Sequence, residues 1–209
     1  MTQTLAIQKY LREYSGTSIE DAFQQLDSIY GIAAKQHCRH PNLYLFKYSQ
    51  ISSPFSEKIV QECRGVILDK DDNWNVVCFP FTKFFNYEQP GAAIIDWSTA
   101  SVQEKLDGSM ISIYNYKGKW WVATTGCPDG TNQVGDFNKT FEDLFWECFD
   151  NQKLNRLYLN PAFTYIWELT SPLNRVVVNH ETSKITLIGV RVNATFQEIT
   201  VSQFNGLFP

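Results

Sequence analysis

Lys105-Leu106-Asp107-Gly108, followed directly by Ser109, sets a lysine just ahead of an Asp-Gly chain reversal. A primary amine there can act as a nucleophile once it sheds its proton. With an ordinary pKa near ~10.4 it is almost wholly protonated at neutral pH, so it needs desolvation or neighbouring cations. Two basic residues upstream can supply them: Arg64, in Gln61-Glu62-Cys63-Arg64-Gly65-Val66-Ile67-Leu68, and Lys83, in Lys83-Phe84-Phe85-Asn86. The same cations would neutralise charge gathering on a phosphate under attack. Glu168, in Trp167-Glu168-Leu169, is an acid inside a β-favouring run, which is costly unless it faces a polar site. Alone, the Lys-x-Asp-Gly tetrad is weak, because a surface lysine before a turn is common.

Its company gives it weight. Those blocks, followed in order by Asn174-Arg175-Val176-Val177 and Leu187-Ile188-Gly189-Val190-Arg191, resemble the RNA ligase family typified by the T-even phage enzyme that seals broken tRNA. That family is a branch of the covalent nucleotidyltransferases, with DNA ligases and mRNA capping enzymes as cousins. The resemblance runs from Leu43 to Val192. It implies that Lys105 attacks the α-phosphate of ATP, with Mg2+ or Mn2+, and carries AMP as a phosphoramidate. The AMP would then activate an RNA 5′-phosphate, that of tRNA among others, for joining to a 3′-hydroxyl. The resemblance further implies that Arg64, Lys83 and Tyr48, in Leu45-Phe46-Lys47-Tyr48, handle the nucleotide phosphates. Glu168 would face the nucleotide sugar or the metal, and Gly108 would let backbone approach the nucleotide. Asp107 would orient the turn or bind metal through water. Phe85 would sit beside the nucleotide or serve as a core aromatic in the cluster Phe79, Phe81, Phe84 and Phe85. Arg175 and Arg191 would contact RNA or act as structural ion-pair partners.

Two departures from the family pattern stand out. Thr125, in Thr124-Thr125-Gly126, replaces the usual basic residue, a loss for which Lys117 or Lys119 could compensate. No lysine follows Lys184, and Glu198 is the only acid after Glu181, so the family's Glu-Gly-x-Val and Lys-x-Lys blocks are absent. The chain is therefore expected to be an N-terminal portion, completed by a C-terminal segment or a second polypeptide. Two other readings stay open: a non-catalytic relative that binds nucleotide or RNA ends, and a nucleotidyltransferase of DNA ligase or capping type. The Asn174-Arg175 pair and the Lys83-Phe84-Phe85-Asn86 block favour the RNA branch.

These residues need a scaffold, and the sequence predicts an α+β one: an antiparallel-sheet nucleotidyltransferase core, like that of ATP-grasp ligases, with N-terminal helices. Over 1–40 the apolar spacing predicts two helices: Leu5–Tyr14, and a second opened by a Thr17/Glu20 capping box and stopped at Gly31. Over 41–209 come β-rich runs at Leu43–Tyr48, Gly65–Leu68, Asn75–Phe79, Ser109–Tyr116 and Trp120–Thr124, the last two joined by a hairpin at Lys117-Gly118. A helix over Asn138–Asp150 and strands at Phe163–Leu169, Val176–Val178 and Ile185–Val192 follow, with no linker to divide the single domain. A formal charge of −4 excludes a broad basic footprint, so any anion site must be local. Five cysteines without a Cys-x-x-Cys pair fit a reducing cytoplasm, and no window is apolar enough to span a membrane. His37-Cys38-Arg39-His40 holds metal-ligand types, but with no second ligand pair nearby it reads as a polar loop.

Overall fold

The computed structural model describes residues 3–201. Helices α1 (Ala6–Glu13) and α2 (Ile19–Tyr30) lead into a four-stranded antiparallel sheet, β1 (Ile32–Gln36), β2 (Leu43–Tyr48), β3 (Arg64–Asp69) and β4 (Asn75–Cys78), in sequential order. A short helix, α3 (Lys58–Glu62), precedes β3. The second sheet has β5 (Ser109–Tyr116), β6 (Lys119–Thr124), β7 (Phe163–Thr170), β8 (Lys184–Val192) and β9 (Glu198–Ile199), arranged β6-β5-β7-β8-β9. Helix α4 (Phe141–Asn151) connects β6 to β7. The class is α+β with two antiparallel sheets.

The alternation of side chains along each strand builds four layers. Phe46, Val66 and Leu68 point outward from the first sheet onto Leu11, Ala22 and Leu26 of the N-terminal helices. Ile113, Tyr165, Trp167 and Leu169 point outward from the second sheet onto Leu144, Phe145 and Phe149 of α4. The inner faces meet through Leu43, Leu45, Ile67, Cys78, Tyr114, Trp121 and Ala123. Side-chain hydrogen bonds also join the sheets: Thr164 Oγ1 accepts from Phe79 N at 3.0 Å, and Asn193 Nδ2 donates to Val77 O at 3.0 Å.

Several boundaries differ from expectation for local reasons. The α2 cap is Ser18, whose Oγ accepts from Asp21 N at 3.1 Å, while Thr17 bonds the Asp21 carboxylate. The span 1–40 is not purely helical, since β1 lies within it; its Ile-Ala-Ala-Lys-Gln sequence has little β preference and becomes a strand by pairing with β2. Helix α4 begins at Phe141, where Thr140 and Asp143 form a capping box. Val176–Val178 is not a strand. The Lys117-Gly118 hairpin forms as expected, with φ of 51° and 78° at its two turn residues. No helix among the described residues is long and apolar enough to cross a membrane.

Candidate functional site

At one end of the sandwich the apolar inner layer gives way to polar side chains. On β7 the outward set Tyr165, Trp167 and Leu169 leaves Glu168 on the inner face, where it stands between its cross-strand partners Met110 and Thr186. On the first sheet Lys47 and Arg64 pair across β2 and β3, just beyond a bulge after Phe46. A cleft of about 1340 Å3 opens there, bordered by Lys47, Tyr48, Arg64, Lys105, Gly108 and Glu168.

The turn carrying Lys105 is fastened from two sides. Lys105 itself is exposed, ahead of β5. A Cβ on Gly108 would lie 2.3 Å from Leu169 O, so only glycine lets this turn rest against β7. The Gly108 amide donates to Glu168 Oε1 at 3.0 Å. Burial pushes the Glu168 carboxyl above its usual range, while the Gly108 amide and the charges of Lys105 and Arg64 pull the other way. On the far side, Asp107 Oδ2 accepts the amides of Val177 at 2.7 Å and Val178 at 2.6 Å. These bonds hold the Asp107 carboxyl below its usual range, and they use the amides that an expected strand would have spent on a ladder. Asn174 Nδ2 donates to Ser109 Oγ at 2.7 Å, and His180 Nε2 bonds Asp107 O at 2.7 Å. The 174–180 segment thus clasps the turn.

The remaining expected residues divide. Arg64 is partly buried, donating to Thr82 O at 3.2 Å with its guanidinium 4.8 Å from the Phe84 ring centre. Tyr48 is buried with its ring edge-on to Phe55. Lys83 and Phe85 do not border the cleft: the Lys83 ammonium lies over Phe55 at 4.7 Å and Phe85 at 5.7 Å, and it is the exposed Phe84 that reaches the opening. Asp107 also lies outside the lining. Arg175 is exposed and donates to Val177 O at 3.3 Å. Arg191 is buried against Phe79 at 4.5 Å, donates to Phe196 O and pairs with Glu198 at 3.3 Å.

Lys47 is the cation that sequence reasoning missed. Its Nζ lies 3.3 Å from where a Gly126 Cβ would stand, beside Thr125, and so faces the wall that lacks the expected basic residue. Lys117 and Lys119, at the hairpin, do not border the cleft. The available signal was a lysine interrupting the apolar run Leu43–Tyr48.

Comparison with known proteins extends this ordering beyond the cleft. Residues 62–206 match the model of the family described as RNA ligase. The chain is 32% identical over 182 residues to an RNA ligase of Rhodothermus phage RM378, covering 72% of this chain and 41% of that protein. It is 30% identical over 168 residues to a putative bifunctional polynucleotide kinase/RNA ligase of Autographa californica nuclear polyhedrosis virus, covering 72% of this chain and 24% of that protein. The chain therefore spans less than half the length of either relative. The family match takes in β3 with Arg64, the turn with Lys105 and β7 with Glu168, the three elements that meet at the cleft, and on that match the chain belongs to the RNA ligase family.

Proposed function

We propose that the cleft is the adenylylation site of an ATP-dependent RNA ligase and that the sheet sandwich is a nucleotidyltransferase core. The convergence of Lys105, Arg64 and Glu168 on one opening between the sheets supports this reading. Lys105 Nζ, deprotonated, attacks the α-phosphorus of ATP; an N–P bond forms, the P–O bond to pyrophosphate breaks, and AMP remains on the lysine. Arg64 and Lys47 approach from the opposite sheet and offset charge on the phosphates. Lys83, one step behind the lining, adds to that field through space. Phe84, exposed with Arg64 against its face, takes the stacking place expected for Phe85.

Glu168 fits a hard cation: it is a half-buried carboxylate with one oxygen oriented by the Gly108 amide, and Mg2+ binds through one or two carboxylates together with substrate phosphates. Mg2+ or Mn2+ bound there would supply Lewis-acid stabilisation of phosphate charge. Asp107 positions the turn through the Val177 and Val178 amides. Transfer of AMP to an RNA 5′-phosphate and sealing to a 3′-hydroxyl belong, in this reading, to a protein that also carries the Glu-Gly-x-Val and Lys-x-Lys blocks.

The test is incubation with Mg2+ and α-labelled ATP or GTP, then denaturing electrophoresis and peptide mapping, on this chain and on a version extended to include those blocks. Label from ATP alone, on Lys105, and absent in Lys105→Ala is expected, stronger in the longer protein. AMP mapped to Lys83 or Lys117 in either version would overturn the assignment.

A further inference from the structure

We propose that His37, Cys38, Cys127 and Asp129 form a four-donor site for a divalent cation of zinc's class, separate from the cleft chemistry. The His37–His40 loop lacked further donors within reach along the sequence; folding brings them from beyond β6. Side-chain donor atoms of His37, Cys38 and Asp129 all lie within 4.8 Å of one another. Cys127 Sγ, which donates to Asp129 Oδ1 at 3.1 Å, stands beside that trio and would close in as the fourth donor. In a tetrahedral zinc site with bonds of ~2.0–2.3 Å, donors stand about 3.3–3.8 Å apart, so the His37 Nδ1 to Asp129 Oδ2 separation of 3.7 Å already has that spacing.

His37 Nδ1 accepts the Arg39 amide at 3.0 Å, which takes its one lone pair, so an ion binding there displaces that amide. The place is buried, with His37 1% and Asp129 3% exposed, and the Asp129 carboxylate takes the Cys38 amide at 2.8 Å and the Thr131 hydroxyl at 2.7 Å. His37 Nε2 is also buried and has no hydrogen-bond partner among the described residues. One nitrogen, two sulfurs and one carboxylate oxygen suit zinc and not magnesium or calcium. On binding, each thiol would release its proton to solvent with no change in oxidation state. Arg39 opposes the cation, but two thiolates and a carboxylate outweigh it. Cys38 is exposed and offers the way in.

Such an ion would rivet the β1–β2 turn to the loop after β6. That loop begins with Thr125, Gly126 and Cys127, which border the cleft, so the ion would stiffen one wall of it.

Chelator-treated protein should bind one equivalent of Zn2+ with a rise in thermal midpoint. With Co2+ alone it should develop thiolate-to-metal absorption. Cys127→Ser and Cys38→Ser should each reduce that absorption and weaken Zn2+ affinity by more than the ~10–100-fold that losing an outer-shell partner costs. Cys38→Ser changes an exposed side chain, so its folding is not in question. Absence of thiolate absorption, or an unchanged spectrum and affinity in Cys38→Ser, would overturn the site.

Discussion

Glu168 Oε1 and the Gly108 amide meet at 3.0 Å, so the turn that presents Lys105 hangs from a side chain of β7 as well as from the strand ladder. Glu168→Ala leaves that amide without its partner, and an unsatisfied buried donor costs about 1–3 kcal/mol. Glu168→Gln keeps an acceptor and removes the charge. We expect Glu168→Gln to retain most thermal stability yet lose most nucleotide labelling, whereas Glu168→Ala loses both. Full labelling in Glu168→Gln would show that the carboxylate serves only as a bracket.

Asp107 offers a separate handle on the same turn. In Asp107→Ala the amides of Val177 and Val178 lose their acceptor, and hydrogen exchange at those two positions should rise while strands β5 and β7 stay protected. Labelling at Lys105 should fall with it. If exchange rises and labelling does not, the clasp by the 174–180 segment is irrelevant to the chemistry.

Gly108→Ala tests steric necessity. The new methyl would meet Leu169 O, a backbone atom that cannot swing aside, and overpacking of this kind costs about 1–3 kcal/mol. Chemical denaturation should show a loss in that range. An unchanged midpoint would mean the turn shifts freely.

Glu62 sets up a pH dependence away from the cleft. Its buried carboxylate accepts the Ala6 amide at 2.6 Å and the Ile7 amide at 3.4 Å, capping α1 from a distance. Burial raises its pKa above the usual carboxylate value, opposed by those amides and by Lys58. A carboxyl whose folded pKa is raised contributes stability that is complete below the unfolded value of about 4.3 and is lost as pH climbs through the folded value. Glu62→Gln removes this titration. The stability of the parent relative to Glu62→Gln should therefore decline just above pH ~4.3 and level off once Glu62 is ionised. A difference independent of pH would count against the raised value.

Local chemistry made much of this legible. The strands at Leu43–Tyr48 and Ser109–Tyr116 and the hairpin between β5 and β6 follow from alternation and turn residues, and each forms where those signals lie. Elements governed by distant partners escaped. Strand β1 exists because β2 pairs with it, and in Val176–Val178, β-branched and exposed, the amides of Val177 and Val178 are spent on Asp107. At the cleft, Lys105, Arg64, Glu168 and Gly108 converge as their order along the chain implied. Which of two neighbours faces the opening was harder to read. Phe84 is there and Phe85 is not, because irregular chain after β4 gives no period from which to assign faces. Lys47 joins because it continues the inward set Leu43 and Leu45, and the extra residue Gly65 in β3 sets Arg64 opposite it.

Lys47 and Arg64 ride on one sheet, while Glu168 and the Lys105 turn ride on the other, and no ladder joins the two among the described residues. The sheets are pinned by side chains at Thr164 and Asn193 and by the Tyr116 hydroxyl on Asp69; between these pins the apolar layer of Leu45, Ile67, Tyr114 and Ala123 keeps them apart. That layer acts as a shim whose thickness sets the gap between the cation pair and the carboxylate. A methyl group gained or lost at Ala123 or Ile67 would alter the span across which a ligand is gripped. Relatives could therefore be retuned for ligands of different girth through greasy residues that never touch them.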